Sequence, residues 1–451
     1  MQDSLGLMQF HDHHQYLYSN SSSSNLSLPQ PFLPLEPNEH CAGDDDVPEF
    51  DVEQPAAPDL GACKEVFSDE ERTAAMEEAH GVRMMALLME CAAAMSVGNL
   101  ADANAAMLEL SQTASPYAAS CGERLVAYFA DAMASRLTRS WIGLASPPPP
   151  FPPPCAAASI NAAFRALHNV APFARLAYLA SNHAILDAFR GERHVHVVDL
   201  DAVPGGALQW LSLLPALAAR PGGPPRSIRV TGFGAASASS SSELRDAGSQ
   251  LAALARKLCV SFEFCDGGGG VRRRAGEAVA VHWHRHAMYD GDGEAMRMVR
   301  WLEPKVVTLV EPEMAASGGG EGRFIERFVS ALHHYSAVFD AMGAARPDGE
   351  DASRHLAEHG VFGREIANVL AGDVGGGGGS LREELERNGF VRAGGGGGRA
   401  QMVAGACPAG VGYTVAGDHD GTVRLGWKGT PLYAVSAWTW CPSPHGRTGL
   451  I

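Results

Sequence analysis

Apolar residues recur at helical spacing through the first ordered stretch of the chain. Met84, Leu87, Leu88, Cys91 and Met95 predict one helix that closes at Gly98. Met107, Leu108 and Leu110 predict a second, and Leu125, Phe129, Met133 and Leu137 line one face of a third. Ser68-Asp-Glu-Glu71 fits a capping box at the start of the first helix, with the serine hydroxyl on a first-turn N–H and Glu71 reaching back. Burying each large side chain stabilises by roughly 1.5–3 kcal/mol, so these stripes pack on each other, on the rest of the core or on a partner helix. Helical segments continue from 159 to 190.

The pattern then changes. Residues 195–200 read as a buried strand ending in two carboxylates, Asp199 and Asp201, and the chain breaks at Pro204-Gly205-Gly206. Leu208, Leu211, Leu214 and Leu217 predict a helix, and residues 227–231 a second strand closed by Gly232-Phe-Gly234. Strand, glycine turn, helix and strand open a doubly wound α/β fold, in which ligands sit at the carboxyl ends of the strands. A Ser-rich loop, a helix through Leu244, Leu251, Leu254 and Leu258, and a strand over 260–264 continue the alternation. Further strands are predicted at 278–283, 306–310, 401–404 and 432–437, and helices at 293–302, 324–342 and 381–388. Gly-rich runs at 375–379 and 394–398 read as surface loops and insertions without chemistry, since each glycine costs roughly 0.5–1 kcal/mol inside a helix or strand.

Composition adds a third region. Residues 1–67 carry no lysine or arginine before Lys64, and combine a Ser/Asn tract with Pro/Leu-rich and acidic stretches. Such a segment cannot bury enough apolar surface to offset its ordering entropy and reads as a disordered, solvated tail. Its acidic residues interleaved with Phe32, Leu33, Leu35, Phe50 and Phe67 also resemble a transcriptional activation segment. The proline run at 147–154 is a stiff connector, read as a loop inside the domain, with an SH3-type ligand as the alternative. The net charge of −16 provides no global attraction for nucleic-acid phosphates or an anionic membrane, so direct DNA contact would need a local basic face. Nine cysteines stand as singles without C-x-x-C, the pattern of reduced intracellular thiols. No run approaches the roughly 20 apolar residues that span a bilayer, and a basic-then-apolar leader is lacking. The expectation is a soluble intracellular protein with no membrane partner.

Candidate chemistry is sparse. A dinucleotide or methyl-donor site needs glycines for backbone approach and an acidic residue after the second strand. Here only Gly205-Gly206 follows a proline, and the second strand ends without a carboxylate, leaving Asp199 and Asp201 to repel a phosphate. His282, His284 and His286 alternate at metal-like spacing on one strand face, but no cysteine or carboxylate cluster supports them, so strand-end histidines are the reading. His11, His13 and His14 fall in the tail. Arg272-Arg-Arg274 is a minimal basic patch, of the kind that serves nuclear localisation or phosphate contact, or simply a solvated loop. No Ser/His/Asp, G-x-S-x-G or H-E-x-x-H arrangement is present, and no catalytic, cofactor or metal residue is assigned.

At these residues the sequence resembles the plant-specific GRAS transcriptional regulators. Val195, His196, Val197, Val198 and Asp199 match the family's V-H-I-I-D motif. Residues 84–92, Ser115-Pro-Tyr117 and 123–133 look like the first leucine-rich region, and 244–265 like the second. Pro304, Tyr335, Arg364 and Glu365 fit the P-F-Y-R-E region, and Trp427, Ser436, Ala437 and Trp438 the terminal S-A-W region. The likeness is greatest to the scarecrow and scarecrow-like branch, and within it to the shorter scarecrow-like members. The resemblance implies a methyltransferase-like (Rossmann-type) doubly wound α/β core with an N-terminal helical cap, preceded by the disordered tail. On that basis the tail covers 1–67 and the GRAS domain 68–441, followed by an extension over 442–451. The domain divides into a first leucine-rich region and Pro-rich loop at about 80–146, then 160–234, 243–275, 278–370 and 380–441. It further implies a developmental regulator in the nucleus, with the cytoplasm as a second compartment, acting without catalysis or cofactor. For this branch it implies pairing with short-root-type GRAS proteins and with indeterminate-domain zinc-finger transcription factors, which supply the DNA contact. A homodimer is a further arrangement. By analogy the heterodimer surface lies on the cap helices, with Leu87, Leu88, Cys91, Leu125, Phe129 and Met133 as contacts. The chain departs from the family in the lengthened connection Ala202-Val-Pro-Gly-Gly-Ala, in Leu211 after Trp210, in the Pro- and Gly-rich insertions and in its C-terminal extension. The alternative on the same fold is a nucleotide- or S-adenosylmethionine-binding methyltransferase-like enzyme or small-molecule sensor.

Overall fold

The computed structural model describes residues 69–142, 154–200, 207–233, 238–285, 292–314, 323–344, 352–371, 381–408 and 410–441. The predicted tail, most of the proline run, the Pro204-Gly205-Gly206 turn with Asp201, His286, the 375–379 glycines and the 442–451 extension lie outside them.

Five helices come first: α1 (Asp69–Ser96), α2 (Leu100–Thr113), α3 (Cys121–Ile142), α4 (Pro154–Val170) and α5 (Pro172–Ala188). The α1–α2 corner follows from its sequence. Gly98 adopts φ +74, the Asn99 N–H donates to Ala94 O and the Gly98 N–H to Met95 O, which together close the helix. Asn99 then caps α2 by accepting from the Asp102 N–H. Pro172 opens α5 at a position where its missing N–H costs nothing.

The α/β alternation follows as β1 (His194–Asp199), α6 (Leu208–Ala218), β2 (Ser227–Gly232), α7 (Ala238–Lys257), β3 (Phe262–Asp266), β4 (Ala278–His284), α8 (Asp292–Leu302) and β5 (Val306–Pro312). Then come α9 (Arg323–Ala344), α10 (Ala352–Ala357), a π-helical turn (Glu358–Phe362), α11 (Gly363–Ala371) and α12 (Leu381–Arg387). The chain finishes with β6 (Phe390–Arg392), α13 (Gly396–Gly405), β7 (Tyr413–Gly417), β8 (Val423–Trp427) and β9 (Thr430–Trp440).

One sheet carries these strands in the order β3-β2-β1-β4-β5-β9-β8-β7, with β6 paired to β9. β1 to β5 are parallel and β9 is antiparallel to β5, Ser436 lying opposite Leu309. The central strands are buried on both faces, which is why they read as nearly continuous apolar runs, whereas the edge strand β3 alternates half-buried and exposed positions. The order reverses between β1 and β4, the switch point of a doubly wound fold. The expected Rossmann-type core with a helical cap is therefore present, the cap formed by α1–α3 against α9 and α11.

Three expectations are corrected. Residues 401–404, predicted as a strand, belong to α13. The glycines at 394–398 are no loop insertion, because Gly396 to Gly398 form the first turn of that helix. A Cβ on Gly396 would stand 2.3 Å from Gly421 Cα, so this glycine is required by close backbone approach. Lastly, Leu87, Leu88, Cys91, Leu125, Phe129 and Met133 do not form an exposed face. All six are buried in the cap's own core, Leu87 the least so at 9% exposure. Phe129 packs edge-on against Phe328 of α9 at 5.6 Å, and burial pushes the Cys91 thiol up to about 12.

Candidate functional site at the strand switch point

A doubly wound sheet places its crevice outside the carboxyl ends of β1 and β4. Here side chains of the described residues are hydrogen-bonded to one another. Asp199, at the end of β1, is buried, and its Oδ2 accepts a hydrogen bond from Trp210 Nε1–H of α6 at 2.7 Å. The Trp210 ring stands edge-on to His282 of β4, centroid to centroid 5.4 Å. His282 Nδ1 lies 2.9 Å from Thr308 Oγ1 of β5 and 3.5 Å from Gln209 Nε2. Gln209 Nε2 donates to Asn182 Oδ1 of α5 at 3.1 Å, and Asn182 Nδ2 donates in turn to Ser212 Oγ at 2.9 Å. Buried polar groups left single would cost about 1–3 kcal/mol each, and this network joins five elements by satisfying them. Asp199 thus acts as an indole acceptor in the interior. His282 is a packed strand-end histidine and the half-buried His284 follows it. Among the described residues no group of three or more His, Cys, Asp or Glu is placed to hold a metal ion.

The rest of β1 is anchored in the same way. His196 Nε2 lies 2.8 Å from Thr231 Oγ1, and burial, reinforced by the Arg229 guanidinium, holds the imidazole down at about 3. Val195, Val197 and Val198 are fully buried around it. Beside it Arg229 pairs with Glu277 and donates to Arg272 O at 2.9 Å. Two arginines of the basic run are paired as well, Arg273 with Glu303 at 3.0 Å and Arg274 with Glu263 at 2.5 Å.

The other motif residues are structural joints. Tyr335 Oη donates to Glu365 Oε2 at 3.1 Å, tying α9 to α11 in the cap, and both are buried; the half-buried Arg364 lies beside them. Buried Pro304 precedes β5 and follows Glu303, which takes φ +43. Trp427 Nε1–H donates to Asp340 Oδ2 at 2.6 Å, fixing β8 on α9. Trp438 Nε1–H donates to Ser436 Oγ at 2.9 Å, the Arg392 guanidinium lies 4.0 Å above the Trp438 ring, and Ala437 is buried between the two. Sequence reasoning missed the buried pair of Arg124 on α3 with Glu358 in the π turn, 3.0 Å apart, which clamps the cap. An arginine inside the apolar stripe of α3 was its one available signal.

The GRAS domain family matches residues 84–439. "Protein SCARECROW 1" of Oryza sativa subsp. indica is 40% identical over 384 residues, which cover 79% of this chain and 55% of that protein. The chain thus spans about half the length of the SCARECROW proteins it resembles. "Scarecrow-like protein 23" of Arabidopsis thaliana is 37% identical over 410 residues, 86% of this chain and 97% of that protein. Among solved structures, the crystal structure of SCL7 in Oryza sativa matches with a TM-score of 0.61 at 26% identity, over 79% of this chain and 99% of that one. With its motif residues forming the joints of a doubly wound core and the family match running from the cap to β9, this chain belongs to the GRAS domain family.

Proposed function

We propose that this chain regulates transcription in plant development through protein partners, with its α/β core serving as an interaction scaffold. The polar network at the switch point carries this reading: Asp199, Trp210, His282, Gln209 and Asn182 contact one another at the end of the sheet where an enzyme of this fold would hold a cofactor. The family and the SCARECROW relatives support a developmental regulator working in the nucleus. Partners in this reading are short-root-type GRAS proteins, or a second copy of the chain, and indeterminate-domain zinc-finger transcription factors. The net charge of −16 and the paired state of Arg273 and Arg274 favour DNA contact through the zinc-finger partner.

Burial of the six cap residues moves the pairing surface outward, to apolar side chains that remain exposed. Val82 and Met89 are 65% and 38% exposed and stand seven residues apart on one face of α1. A quantitative pull-down with a purified short-root-type GRAS protein tests this. The doubly substituted Val82→Asp, Met89→Asp chain is expected to lose pairing by at least about tenfold while its melting temperature holds, because neither residue is in the core. Failure of the unsubstituted chain to pair with either partner class overturns the reading. So does micromolar calorimetric binding of S-adenosylmethionine that Asp199→Asn removes.

A further inference from the structure

At the opposite end of the sheet, by the amino ends of the parallel strands, lies a cleft of about 390 Å³. Its polar lining comes from Asp187 near the end of α5, Lys305 at the entry to β5, Thr439 of β9, and Gly394 and Arg399 at the β6–α13 junction. Arg399 is the unusual member. It is only 4% exposed, and its Nη2 donates to Ala393 O and Gly421 O, both at 3.1 Å. Among the described residues no carboxylate stands within ion-pair distance of it, and its Nε and Nη1 carry no hydrogen bond. A guanidinium so deeply buried normally has an anion beside it, because an uncompensated charge is costly to remove from water. Burial accordingly pulls its basicity below the usual arginine range, against the more distant Asp187.

The neighbouring charges do not answer it. Asp187 is paired with Arg190 at 2.8 Å and with His183 at 3.3 Å, and Lys305 with Glu192. These groups balance locally and leave Arg399 as the excess. Next to it α13 starts at Gly396 behind Gly395, which takes φ +92 and has no side chain to cap the first-turn N–H groups. Gly394, two residues before this helix start, lines the cleft, so the positive end of the α13 dipole lies next to it.

We propose that this cleft binds a small phosphate-bearing ligand, its phosphate seated at Arg399 and the glycine turn that opens α13, with the Lys305 ammonium at the rim. The geometry asks for an anion of that size, since the cleft holds a small molecule and not a polymer. The experiment is a titration of inorganic phosphate into the purified full chain at fixed ionic strength. It is followed by calorimetry and by melting temperature, with acetate and chloride as matched arms. Saturable one-site binding is expected for phosphate, weaker binding for acetate, and no saturable binding for chloride. Lys305→Ala is expected to weaken phosphate binding about threefold or more with the fold unchanged. Gly394→Asp is the sharper variant, because a Cβ there meets nothing within 4 Å and the new carboxylate can take the ligand's place beside Arg399. It is expected to raise the melting temperature without phosphate and to abolish binding. A merely structural arginine would produce neither the anion selectivity nor that opposed pair of effects. The proposal is overturned if phosphate does not saturate, if chloride reproduces its signal, or if binding survives in both variants. Should Gly394→Asp fail to fold, Lys305→Ala decides alone.

Discussion

The two ends of the central sheet make opposite use of buried polar groups. At the carboxyl end, where the strand order reverses and doubly wound folds hold their ligands, Asp199, Trp210, His282, Thr308 and Gln209 satisfy one another. At the amino end, where the topology predicts nothing, Arg399 sits buried beside a cleft, with no carboxylate among the described residues within ion-pair distance. Topology therefore marks where a site would be convenient, while the partners of each buried group decide whether room for a ligand is left. In this chain the two criteria point to different ends.

The comparison breaks most readily at Trp210. Trp210→Ala removes a fully buried ring and the donor to Asp199, and it is expected to cost about 3–5 kcal/mol in urea unfolding. Trp210→Phe keeps most of the ring but takes away the N–H, and should still cost about 1–3 kcal/mol. A loss below about 1 kcal/mol for the alanine variant would mean that the crevice is loosely filled and that the contrast between the ends is false. At the other end the test is a pair of neighbours. Gly396→Ala forces a Cβ onto the Gly421 backbone and should destabilise by about 1–3 kcal/mol. Gly397→Ala meets nothing within 4 Å and should stabilise by about 0.4–1 kcal/mol. Equal effects would show that the glycine turn is not held against β7–β8.

What was legible in the sequence follows the same division. The parallel strands were readable because burial on both faces leaves runs such as Val195 to Val198 and Val306 to Val310, and Gly98 marked the end of the first helix for stereochemical reasons. The short strands β6, β7 and β8 were not readable: Phe390 to Arg392 is three residues long, and β7 at the sheet edge alternates without an apolar run. Residues 401–404 misled because Gln-Met-Val-Ala fits a strand as well as a helix, and the glycines before it concealed a helix start. Burial of the cap stripe was beyond the pattern too. Helical periodicity says that Leu88 and Phe129 face something, and only the packing of α9 and α11 shows that the something is the same chain.

Between the two ends, β1 carries a titratable group that reports on the sheet's integrity. The His196 imidazole titrates near 6.5 in the unfolded chain and is held at about 3 in the folded one by burial and the Arg229 charge. Between those values the unfolded state binds a proton that the folded state does not, so stability is fully present above about pH 6.5 and falls as the pH drops towards 3. His168 and His334, each lowered to about 4 chiefly by burial, add to the same slope. Urea unfolding at pH 7.0 and at pH 5.5 should differ by roughly 1 kcal/mol for each such histidine. His196→Gln should remove its share of that difference. A pH-independent midpoint over this range would mean that the imidazoles reach solvent and that the sheet centre is looser than its ends.

The smallest effect is expected at Lys305, and it separates the two ends most cleanly. Its ammonium pairs with Glu192 at a half-exposed position, where an ion pair is worth less than about 1 kcal/mol and is screened by salt. Lys305→Ala should therefore leave the phosphate-free melting temperature nearly unchanged. The same change removes a cation from the rim of the cleft and frees its partner Glu192, so the local excess of positive charge is reduced and the phosphate-induced rise in melting temperature should shrink. If the substitution instead lowers stability by several kcal/mol, Lys305 is part of a packed network like the one around Asp199. The amino end would then be closed in the same way as the carboxyl end, and Arg399 would be a tie between two turns with no ligand to hold.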